Sequence, residues 1–237
     1  MTSTLIGKRI ILTGASRGVG FATASALIRG GASILGVARD ADRLTIAADK
    51  LRTLAPGTFD SLVADLEDVA TPSRIAERAG ELWGAVDIVI NNAGVMLHHE
   101  GGICSEPEDI VQRSMDINVF APLRVGTALL PLLREGVEPR IVNVGSGAGT
   151  IEALAEPGIA SYRLSKWALN GLTMLQANEL AGEISVIAFD PGWVKTDLGG
   201  PQAPGTPEEA ADGLLRTLEL PWDDSGGFFK DGQPIPW

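Results

Sequence analysis

Short apolar runs alternate along the chain with longer stretches of helical length, and this alternation limits the folds that the chain can adopt. The runs are rich in Val, Ile and Leu without strict polar alternation, which is typical of strands buried on both faces. Six runs are predicted to be strands: Arg9–Thr13, Ser33–Val37, Ser61–Ala64, Val86–Ile90, Arg140–Val144 and Ile184–Phe189. Strands that alternate with helices predict repeated βαβ units. We therefore expect an α/β fold in a single domain over residues 1–237, with a doubly wound parallel sheet of about seven strands and helices on both faces.

Local signals predict where helices begin and where one loop lies. Thr71-Pro72 is typical of an N-cap followed by proline at the first helical position, and Thr206–Glu209 repeats the pattern. A further helix is predicted from Phe21 onward. The segment Gly199–Pro207 is rich in Gly and Pro, which predicts a mobile loop.

Charge and length exclude several classes of function. The 237 residues carry a net charge of -11, which argues against nucleic acid and against an anionic membrane surface as main partners. No apolar run approaches the ~18 residues that a spanning helix needs, and no secretory signature precedes the first strand. The single cysteine, Cys104, cannot form an intramolecular disulfide, so a reducing, cytoplasmic setting is expected.

The first predicted strand ends in a glycine-rich turn, Thr13-Gly14-Ala15-Ser16-Arg17-Gly18-Val19-Gly20. Glycines let a ligand approach the backbone, and the N-terminus of the following helix offers free N–H groups to a pyrophosphate. The spacing Gly-x-x-x-Gly-x-Gly differs from the commonest dinucleotide fingerprint, and a bare strand-to-helix turn is the alternative. The position after the first strand of a βαβ array favours phosphate binding.

The only tyrosine of the chain stands four residues before a lysine, in Ser161-Tyr162-Arg163-Leu164-Ser165-Lys166. Residues i and i+4 share one face of a helix, so Tyr162 and Lys166 can share one environment. An adjacent ammonium lowers the pKa of a phenol from its usual value of about 10. The pair is then suited to exchange a proton with a carbonyl or an alcohol. A partly buried tyrosine near a surface lysine is the alternative.

Five motifs occur in an order that resembles the short-chain dehydrogenase/reductase family. They are Thr13–Gly20, Asp65-Leu66, Asn91-Asn92-Ala93-Gly94, Tyr162-x-x-x-Lys166 and Pro191-Gly192. The resemblance covers nearly the whole chain. The segments Ser161–Asn170, Asp190–Gly200 and Ser225–Trp237 are similar to the carbonyl-reductase-like branch. The resemblance implies a Rossmann fold and an NAD(P)-dependent oxidoreductase that transfers hydride between the nicotinamide and a carbonyl or alcohol substrate.

The residue that closes the second strand indicates which cofactor is used. A carboxylate there binds the ribose of NAD, whereas an arginine suits the 2′-phosphate of NADP. Arg39 stands at this position, and Arg17 can add a second guanidinium. NADP(H) is therefore favoured over NAD(H), although Asp40 could partly neutralise Arg39, and solvated surface arginines are the alternative.

The resemblance implies a role for each predicted catalytic residue, namely Asn118, Ser146, Tyr162 and Lys166. Tyr162 exchanges the proton with the substrate oxygen, Ser146 positions that oxygen, and Lys166 tunes the phenol and bonds the nicotinamide ribose. In the family, the asparagine at the position of Asn118 interrupts a helix and anchors a water near the lysine. Ser165 is expected to be structural.

The family pattern also implies further cofactor contacts. Asp65 and Leu66 are expected to contact the adenine, and Asn92 with the Ala93-Gly94 turn to stabilise the sheet near the adenosine ribose. Val194 and Thr196 are expected to meet the nicotinamide carboxamide. The predicted cofactor-binding residues are Gly14, Ser16, Arg17, Gly18, Val19, Gly20, Arg39, Asp65, Leu66, Asn92, Ala93, Gly94, Tyr162, Lys166, Pro191, Gly192, Val194 and Thr196.

Apolar side chains near the predicted reacting centre indicate a hydrophobic ketone, aldehyde or quinone as the substrate. The expected wall residues are Met96, Leu97, Leu154 and Trp193, with core packing as the rival explanation. His98 and His99 lack further ligands at metal spacing, so no metal is predicted. The serine of Gly145-Ser146-Gly147 lacks the spacing of a hydrolase elbow.

Two alternatives stay open at this point. A catalytically silent NADP(H)-binding sensor on the same fold is the second candidate function, disfavoured because the four predicted catalytic residues are all present. The resemblance implies a homodimer or homotetramer through the Tyr162 helix and the helix before it, although monomers occur in the branch. Four residues could face either a core or a partner: Val125, Leu129, Leu132 and Leu133.

Overall fold

The predicted apolar runs assemble into one sheet in the computed structural model, which describes residues 5–237. The strands are β1 (Arg9–Thr13), β2 (Ser33–Ala38), β3 (Thr58–Val63), β4 (Ile88–Asn91), β5 (Arg140–Val144), β6 (Ser185–Phe189), β7 (Phe228–Lys230) and β8 (Gln233–Pro234). The α-helices are α1 (Gly18–Arg29), α2 (Ala41–Leu51), α3 (Thr71–Trp83), α4 (Glu108–Met115), α5 (Ala121–Arg134), α6 (Ala160–Glu179) and α7 (Pro207–Leu218). A π-helical segment, Asp116–Phe120, joins α4 to α5, and single 3-10 turns cover Gly147–Gly149 and Glu152–Ala155.

The strand order β3-β2-β1-β4-β5-β6-β7-β8 reverses direction between β1 and β4. Neighbouring strands are parallel except for β7 and β8, which pair antiparallel. The predicted doubly wound Rossmann fold is thus confirmed. The sheet holds one strand more than expected, because the two-residue β8 adds an edge pairing to β7. At such a reversal the flanking connections leave a crevice outside the carboxyl ends of the strands.

The central strands are buried on both faces, as their composition predicts. In β1, Ile10 and Leu12 belong to an apolar cluster that includes residues of α1, α2 and α7, whereas Ile11 belongs to a cluster that includes residues of α3, α5 and α6. Val125, Leu129 and Leu133 of α5 lie in the second cluster, and Leu132 packs against it. These four leucine and valine side chains therefore face the core of the protein.

One of the two predicted N-caps is correct. Thr206 caps α7 in a full capping box, because its hydroxyl accepts from the backbone of Glu209 and the Glu209 carboxylate accepts from the backbone of Thr206. The prediction for Thr71 is wrong, since Ala70 is the N-cap of α3. The Thr71 hydroxyl instead donates to the backbone oxygen of Asp65 at 2.5 Å. Helix α1 begins at Gly18, inside the glycine-rich turn, rather than at Phe21.

The stretch from α4 to α5, Glu108–Arg134, is the one helix of the described residues that is long and apolar enough to cross a membrane. Half of its most apolar window is buried inside the protein. Because α5 supplies Val125, Leu129 and Leu133 to the second core cluster, the apolar composition of this stretch is that of a core helix. The π-helical segment at Asp116–Phe120 interrupts it.

Candidate active site

The carboxyl ends of β1, β4, β5 and β6 meet at the strand reversal and open into a cleft of about 1260 Å³. Every residue of the predicted cofactor-binding set lines this cleft, and so does Ser146. Asn118 is fully buried behind the lining. The structure thus brings the predicted residues together at one place, while the individual roles assigned to them remain predictions.

The glycine-rich turn is shaped so that a ligand can lie against its backbone. Gly14 and Gly18 have φ values of +72° and +53°, the left-handed region that favours glycine. A Cβ atom at Gly20 would lie 2.1 Å from the carbonyl oxygen of Gly14, so no side chain fits there. The side chain of Arg17, the N-cap of α1, makes no capping hydrogen bond, which leaves the first N–H groups of the helix for a ligand. This cradle fits a pyrophosphate.

Asn92 ties the end of β4 to the glycine-rich turn. Its side-chain amide donates to the backbone oxygens of Thr13, at 2.9 Å, and Gly14, at 3.4 Å. The backbone N–H groups of Asn92 and Ala93 both donate to the Thr13 hydroxyl, at 3.1 and 3.0 Å. These bonds hold the two strand ends that flank the reversal at a set distance from each other.

Three arginines line the cleft beside the end of β2, namely Arg17, Arg39 and Arg43. Arg39 lies 3.9 Å from the carboxylate of Glu67, in the segment after β3. Asp40 does not pair with Arg39: it caps α2 by accepting from the backbone of Arg43 at 3.0 Å, and its carboxylate lies 3.4 Å from the Arg43 guanidinium. The carboxylate within ion-pair distance of Arg39 is therefore that of Glu67 rather than that of Asp40.

Asp197, in the loop after β6, reaches across the cleft to two of these arginines. Its carboxylate accepts from the guanidinium of Arg17 and, at 3.4 Å, from that of Arg43. Sequence reasoning missed both Arg43 and Asp197. The pairs join positions 180 and 154 residues apart, and no local pattern marks such partners.

The phenol of Tyr162 is buried, with 8% of the residue exposed. Burial raises the pKa of Tyr162 to about 12; the neighbouring Ser146 hydroxyl acts to lower it, and the Asp190 carboxylate adds to the rise. The lysine Nζ lies 5.8 Å from the centre of the phenol ring. The predicted lowering of the phenol pKa by Lys166 stays a prediction, while burial acts on this pKa in the opposite direction.

Lys166 is as deeply buried as the tyrosine, one helical turn further along α6. Its Nζ donates to the backbone oxygen of Val144, at the end of β5, at 2.8 Å. Burial lowers the pKa of Lys166 to about 8, although the Asp190 carboxylate favours the charged form. A Cβ atom at Gly94 would lie 3.5 Å from this Nζ, so the loop after β4 passes directly over the lysine.

Asn118 lies in the π-helical segment between α4 and α5, where its side chain joins three elements. Its Oδ1 accepts from the backbone N–H of Val95 and its Nδ2 donates to the Val95 oxygen, both at 2.8 Å. The same Nδ2 donates to the Ser165 hydroxyl at 2.9 Å, and that hydroxyl donates to the Tyr162 backbone oxygen at 2.8 Å. Ser165 therefore links Asn118 to the helix that carries the tyrosine.

Asp190, at the end of β6, is a buried carboxylate that motif analysis did not single out as a site residue. Its Oδ1 accepts from the backbone N–H of Gly192 at 3.0 Å, which shapes the turn after β6. Its Oδ2 lies 3.8 Å from Nζ of Lys230, which also lines the cleft. This carboxylate shifts the pKa values of Tyr162 and Lys166 upward, so it takes part in the electrostatics of the site.

Glu106 is a second buried carboxylate beside the site. Its side chain is fully buried, and it accepts from the backbone N–H of Ser161, next to Tyr162, at 3.0 Å. The Nδ1 of His98 lies 3.4 Å from its other oxygen. Glu106 therefore fastens the loop after β4 to the first turn of α6.

The walls of the cleft beyond the catalytic groups are mostly apolar. Val95, Met96, Ile159 and Trp193 line it. The predicted wall residues Leu97 and Leu154 are not among the described lining residues. The loop after β6 is held at both ends, because the Trp193 indole donates to the Gly199 oxygen at 2.7 Å and Lys195 and Gly205 are joined at 2.9 Å. The mobility expected of Gly199–Pro207 stays a prediction.

A strand reversal with a glycine cradle on one side and a buried phenol and amine on the other defines a dinucleotide-binding α/β protein that can move a proton. The arrangement can hold a long anionic cofactor across β1 and β4 and present a hydroxyl and a phenol to a polar atom beside it. Comparison with known proteins agrees with this class. The model of the short chain dehydrogenase family matches residues 8–206, and the chain belongs to that family.

Two proteins of similar sequence and one solved structure illustrate the range of relatives of this chain. The C-signal of Myxococcus xanthus is 38% identical over 161 residues, which cover 65% of this chain and 94% of that protein. A 3-oxoacyl-[acyl-carrier-protein] reductase of rhamnolipid biosynthesis from Pseudomonas aeruginosa is 37% identical over 194 residues, or 80% of this chain and 73% of that protein. The solved NADPH-bound carbonyl reductase from chicken fatty liver has a TM-score of 0.89 at 29% identity, covering 98% of this chain and 100% of that one.

Proposed function

We propose that this protein is an NADP(H)-dependent reductase of hydrophobic ketones, aldehydes or quinones. The observation that carries the proposal is the convergence of Tyr162, Ser146 and Lys166 on a cleft that also presents three arginines beside β2. The first group can deliver a proton to an oxygen, and the second can bind a phosphate. Family membership supports the oxidoreductase class, and the similarity to a solved carbonyl reductase supports the reductase type.

NADP(H) is the cofactor that the residues fit best. The cradle of Gly14, Gly18 and Gly20 would hold the pyrophosphate. The guanidinium groups of Arg17, Arg39 and Arg43 would hold the 2′-phosphate. When bound, the cofactor supplies the hydride. The NADPH of the solved carbonyl reductase supports this choice.

Tyr162 is the proposed proton donor. Because its pKa is about 12, the phenol is fully protonated at neutral pH and can give its proton to a carbonyl oxygen as that oxygen gains charge. Lys166, with a pKa of about 8, is mostly cationic at neutral pH and would stabilise the phenolate that remains.

Ser146 is the proposed oxyanion stabiliser. Its Oγ accepts from the backbone N–H of Ala148 at 3.1 Å, as the cap of the 3-10 turn Gly147–Gly149. Since that bond uses the oxygen as acceptor, the hydroxyl proton is free to be donated. A donor that is fixed before the substrate arrives stabilises developing charge at little reorganisation cost.

The substrate class follows from the apolar wall of the cleft. A substrate that presents its carbonyl to Tyr162 would place its remaining surface against Val95, Met96, Ile159 and Trp193. These side chains favour an apolar body over a charged one.

A matched substrate panel tests the proposal. NADPH consumption is followed by absorbance with aldehydes, ketones and quinones of increasing apolar area, and with NADH in place of NADPH. We expect turnover with NADPH and a kcat/KM that rises with apolar area. Met96→Ala should lower kcat/KM for apolar substrates by about tenfold, whereas Leu154→Ala, outside the cleft, should not. A protein that binds NADPH but turns over no member of the panel would favour the silent sensor instead.

We further propose a cytoplasmic protein that forms a homodimer or homotetramer. The free, exposed thiol of Cys104 is compatible with a reducing compartment. The outer surfaces of α5 and α6 carry Leu123, Trp167, Met174 and Leu175 in exposed positions, which supports pairing through these helices. Size-exclusion chromatography with light scattering tests this, and a monomeric mass would contradict it.

A further inference from the structure

We propose that Asp197 is a specificity-determining residue whose carboxylate competes with the 2′-phosphate of NADP(H) for Arg17 and Arg43. The inference rests on the proposed function, because it assumes a phosphate-bearing cofactor in the cleft. On this proposal, the affinity for NADP(H) depends on the exchange of the Asp197 carboxylate for the 2′-phosphate, and not on the arginines alone.

The geometry places one carboxylate between two guanidinium groups from different elements. Arg17 is the N-cap of α1, Arg43 lies in the first turn of α2, and Asp197 belongs to the loop after β6. Asp197 Oδ2 is the acceptor for both, and all three residues line the cleft. An anion that binds at this end of the cleft therefore meets arginines that already have a partner.

The exposure of the three side chains makes this partner exchangeable. The side chains of Arg17, Arg43 and Asp197 are 55%, 52% and 66% exposed. Ion pairs in contact with water are weak and are screened by salt. Asp87 of the same protein, by contrast, forms a buried ion pair. Its side chain is 2% exposed and accepts hydrogen bonds from Arg9 and from the backbone of Val137.

A phosphate has the advantage in this exchange for two reasons. It carries nearly two negative charges and three acceptor oxygens, against one charge and two oxygens for Asp197. The two guanidinium groups can each bind it through two parallel hydrogen bonds. The carboxylate then either leaves or stays as a like charge beside the phosphate, and both outcomes lower the affinity for NADP(H) but not for NAD(H), which has no phosphate there.

Arg39 is a different case, because its carboxylate partner is anchored elsewhere. Glu67 lies 3.9 Å from Arg39 but 3.0 Å from Arg113, and hydrogen bonds from Arg113 hold the pKa of Glu67 below its usual range. Glu67 is therefore committed to Arg113, whereas Asp197 has only the two arginines of the cleft as its cationic partners among the described residues.

The test compares Asp197→Asn with Glu183→Gln, a control that removes an exposed carboxylate from Arg134, outside the cleft lining. Dissociation constants are measured calorimetrically for NADPH, NADH and adenosine 2′,5′-bisphosphate, which carries the phosphate without the nicotinamide. For Asp197→Asn we expect NADPH and the bisphosphate to bind about threefold to tenfold more tightly, and NADH to change less than about twofold. The gain should shrink at about 0.5 M salt, and Glu183→Gln should match the wild type.

The outcomes separate this inference from the proposed function. A wild type that binds NADH as tightly as NADPH refutes the cofactor assignment. A wild type that prefers NADPH, together with an Asp197→Asn variant whose preference is unchanged or weaker, refutes the role of Asp197 and leaves the cofactor assignment intact. Equal tightening of NADPH and NADH also refutes it, because the effect would not depend on the 2′-phosphate.

Discussion

The two sides of the cleft hold their polar side chains in opposite ways. On the β5–β6 side, Tyr162, Lys166 and Asn118 are buried, and the lysine and asparagine are fixed by hydrogen bonds to backbone atoms. On the β2 side, Arg17 and Arg39 are more than half exposed and are paired with carboxylates from distant segments. Burial shifts the pKa values of Tyr162 and Lys166 strongly. Water and salt weaken the ion pairs of the exposed arginines. The buried side is therefore suited to chemistry and the exposed side to recognition.

Removal of the phenol oxygen of Tyr162 should have the largest effect on the chemistry of the buried side. Tyr162→Phe is expected to lower kcat for carbonyl reduction by about 10³-fold, since the proton donor is lost. The Kd for NADPH should stay near the wild-type value. Ser161→Ala is the matched control, because it removes a buried hydroxyl one residue away that has no hydrogen-bond partner. A Tyr162→Phe variant with a kcat within about tenfold of wild type would mean that another group supplies the proton.

The buried amine should make stability depend on pH. The pKa of Lys166 is about 8 in the folded protein, against an ordinary value of 10.5. Between these values the unfolded chain binds more protons, so the free energy of unfolding should rise with pH, and the destabilisation by the buried charge is complete below pH 8. By pH 10 the gain amounts to about 3 kcal/mol. Above pH 10, Tyr162 loses its proton in the unfolded chain before it does so in the folded protein, which lowers the free energy of unfolding.

Urea denaturation at several pH values checks this expectation. The Lys166→Met variant should lack the rise, so the difference between the two proteins isolates the lysine. Parallel curves for wild type and variant between pH 8 and 10 would show that the amine keeps an ordinary pKa in the folded state.

The buried hydrogen bond between Glu106, in the loop after β4, and Ser161 of α6 should contribute less to the free energy of unfolding. Glu106→Ala leaves the backbone N–H of Ser161 without its partner, which should lower the free energy of unfolding by about 2 kcal/mol. Glu106→Gln keeps an acceptor and should recover most of this loss. We also expect the alanine variant to raise KM more than it lowers kcat, because the loop that carries Met96 is no longer fastened. Equal stability of the alanine and glutamine variants would contradict the proposed tie.

A single change on the exposed side should have the mildest consequence. Arg39→Ala is expected to weaken NADPH binding by about tenfold at low ionic strength, and by less at high salt. The affinity for NADH should be unchanged. Arg134→Ala, which removes another arginine that is more than half exposed, at the far end of α5, is the control. An Arg39→Ala variant whose NADPH affinity falls as much at high salt as at low salt would show that this side of the cleft does not act through exposed charges.

Most of the sheet could be predicted because each central strand carries its own apolar signature. β1 and β5 have the predicted bounds, and β2 and β6 differ by one residue at an end. β3 begins at Thr58 rather than Ser61, since its first residues are strand only through pairing with β2. The strands β7 and β8 have only three and two residues, too few for a recognisable signature, and their pairing with β6 and with each other defines them.

Many of the residues that line the cleft could likewise be predicted, but the charged side chains that interact with them could not. The ordered motifs named the residues that line the cleft, because strand ends on one edge of a parallel sheet must lie together. Glu106 and Asp197 were missed, since their hydrogen-bond partners come from segments far away in the chain. Asp190 was missed because its influence on Tyr162 and Lys166 depends on the fold that places it near them. The same limit explains Thr71, where a local capping signal lost to a hydrogen bond with Asp65.

The order of short apolar runs, glycines and the Tyr162–Lys166 spacing alone determined the class of fold and the place of the cleft, because these depend on periodicity within one segment. The protonation of the phenol and the pairing of the arginines were decided by the tertiary structure. Both depend on how much water reaches a group and on which distant charge lies beside it. Neither quantity is present in any single stretch of the chain, so the burial that raises the pKa of Tyr162 could be recognised only in the fold.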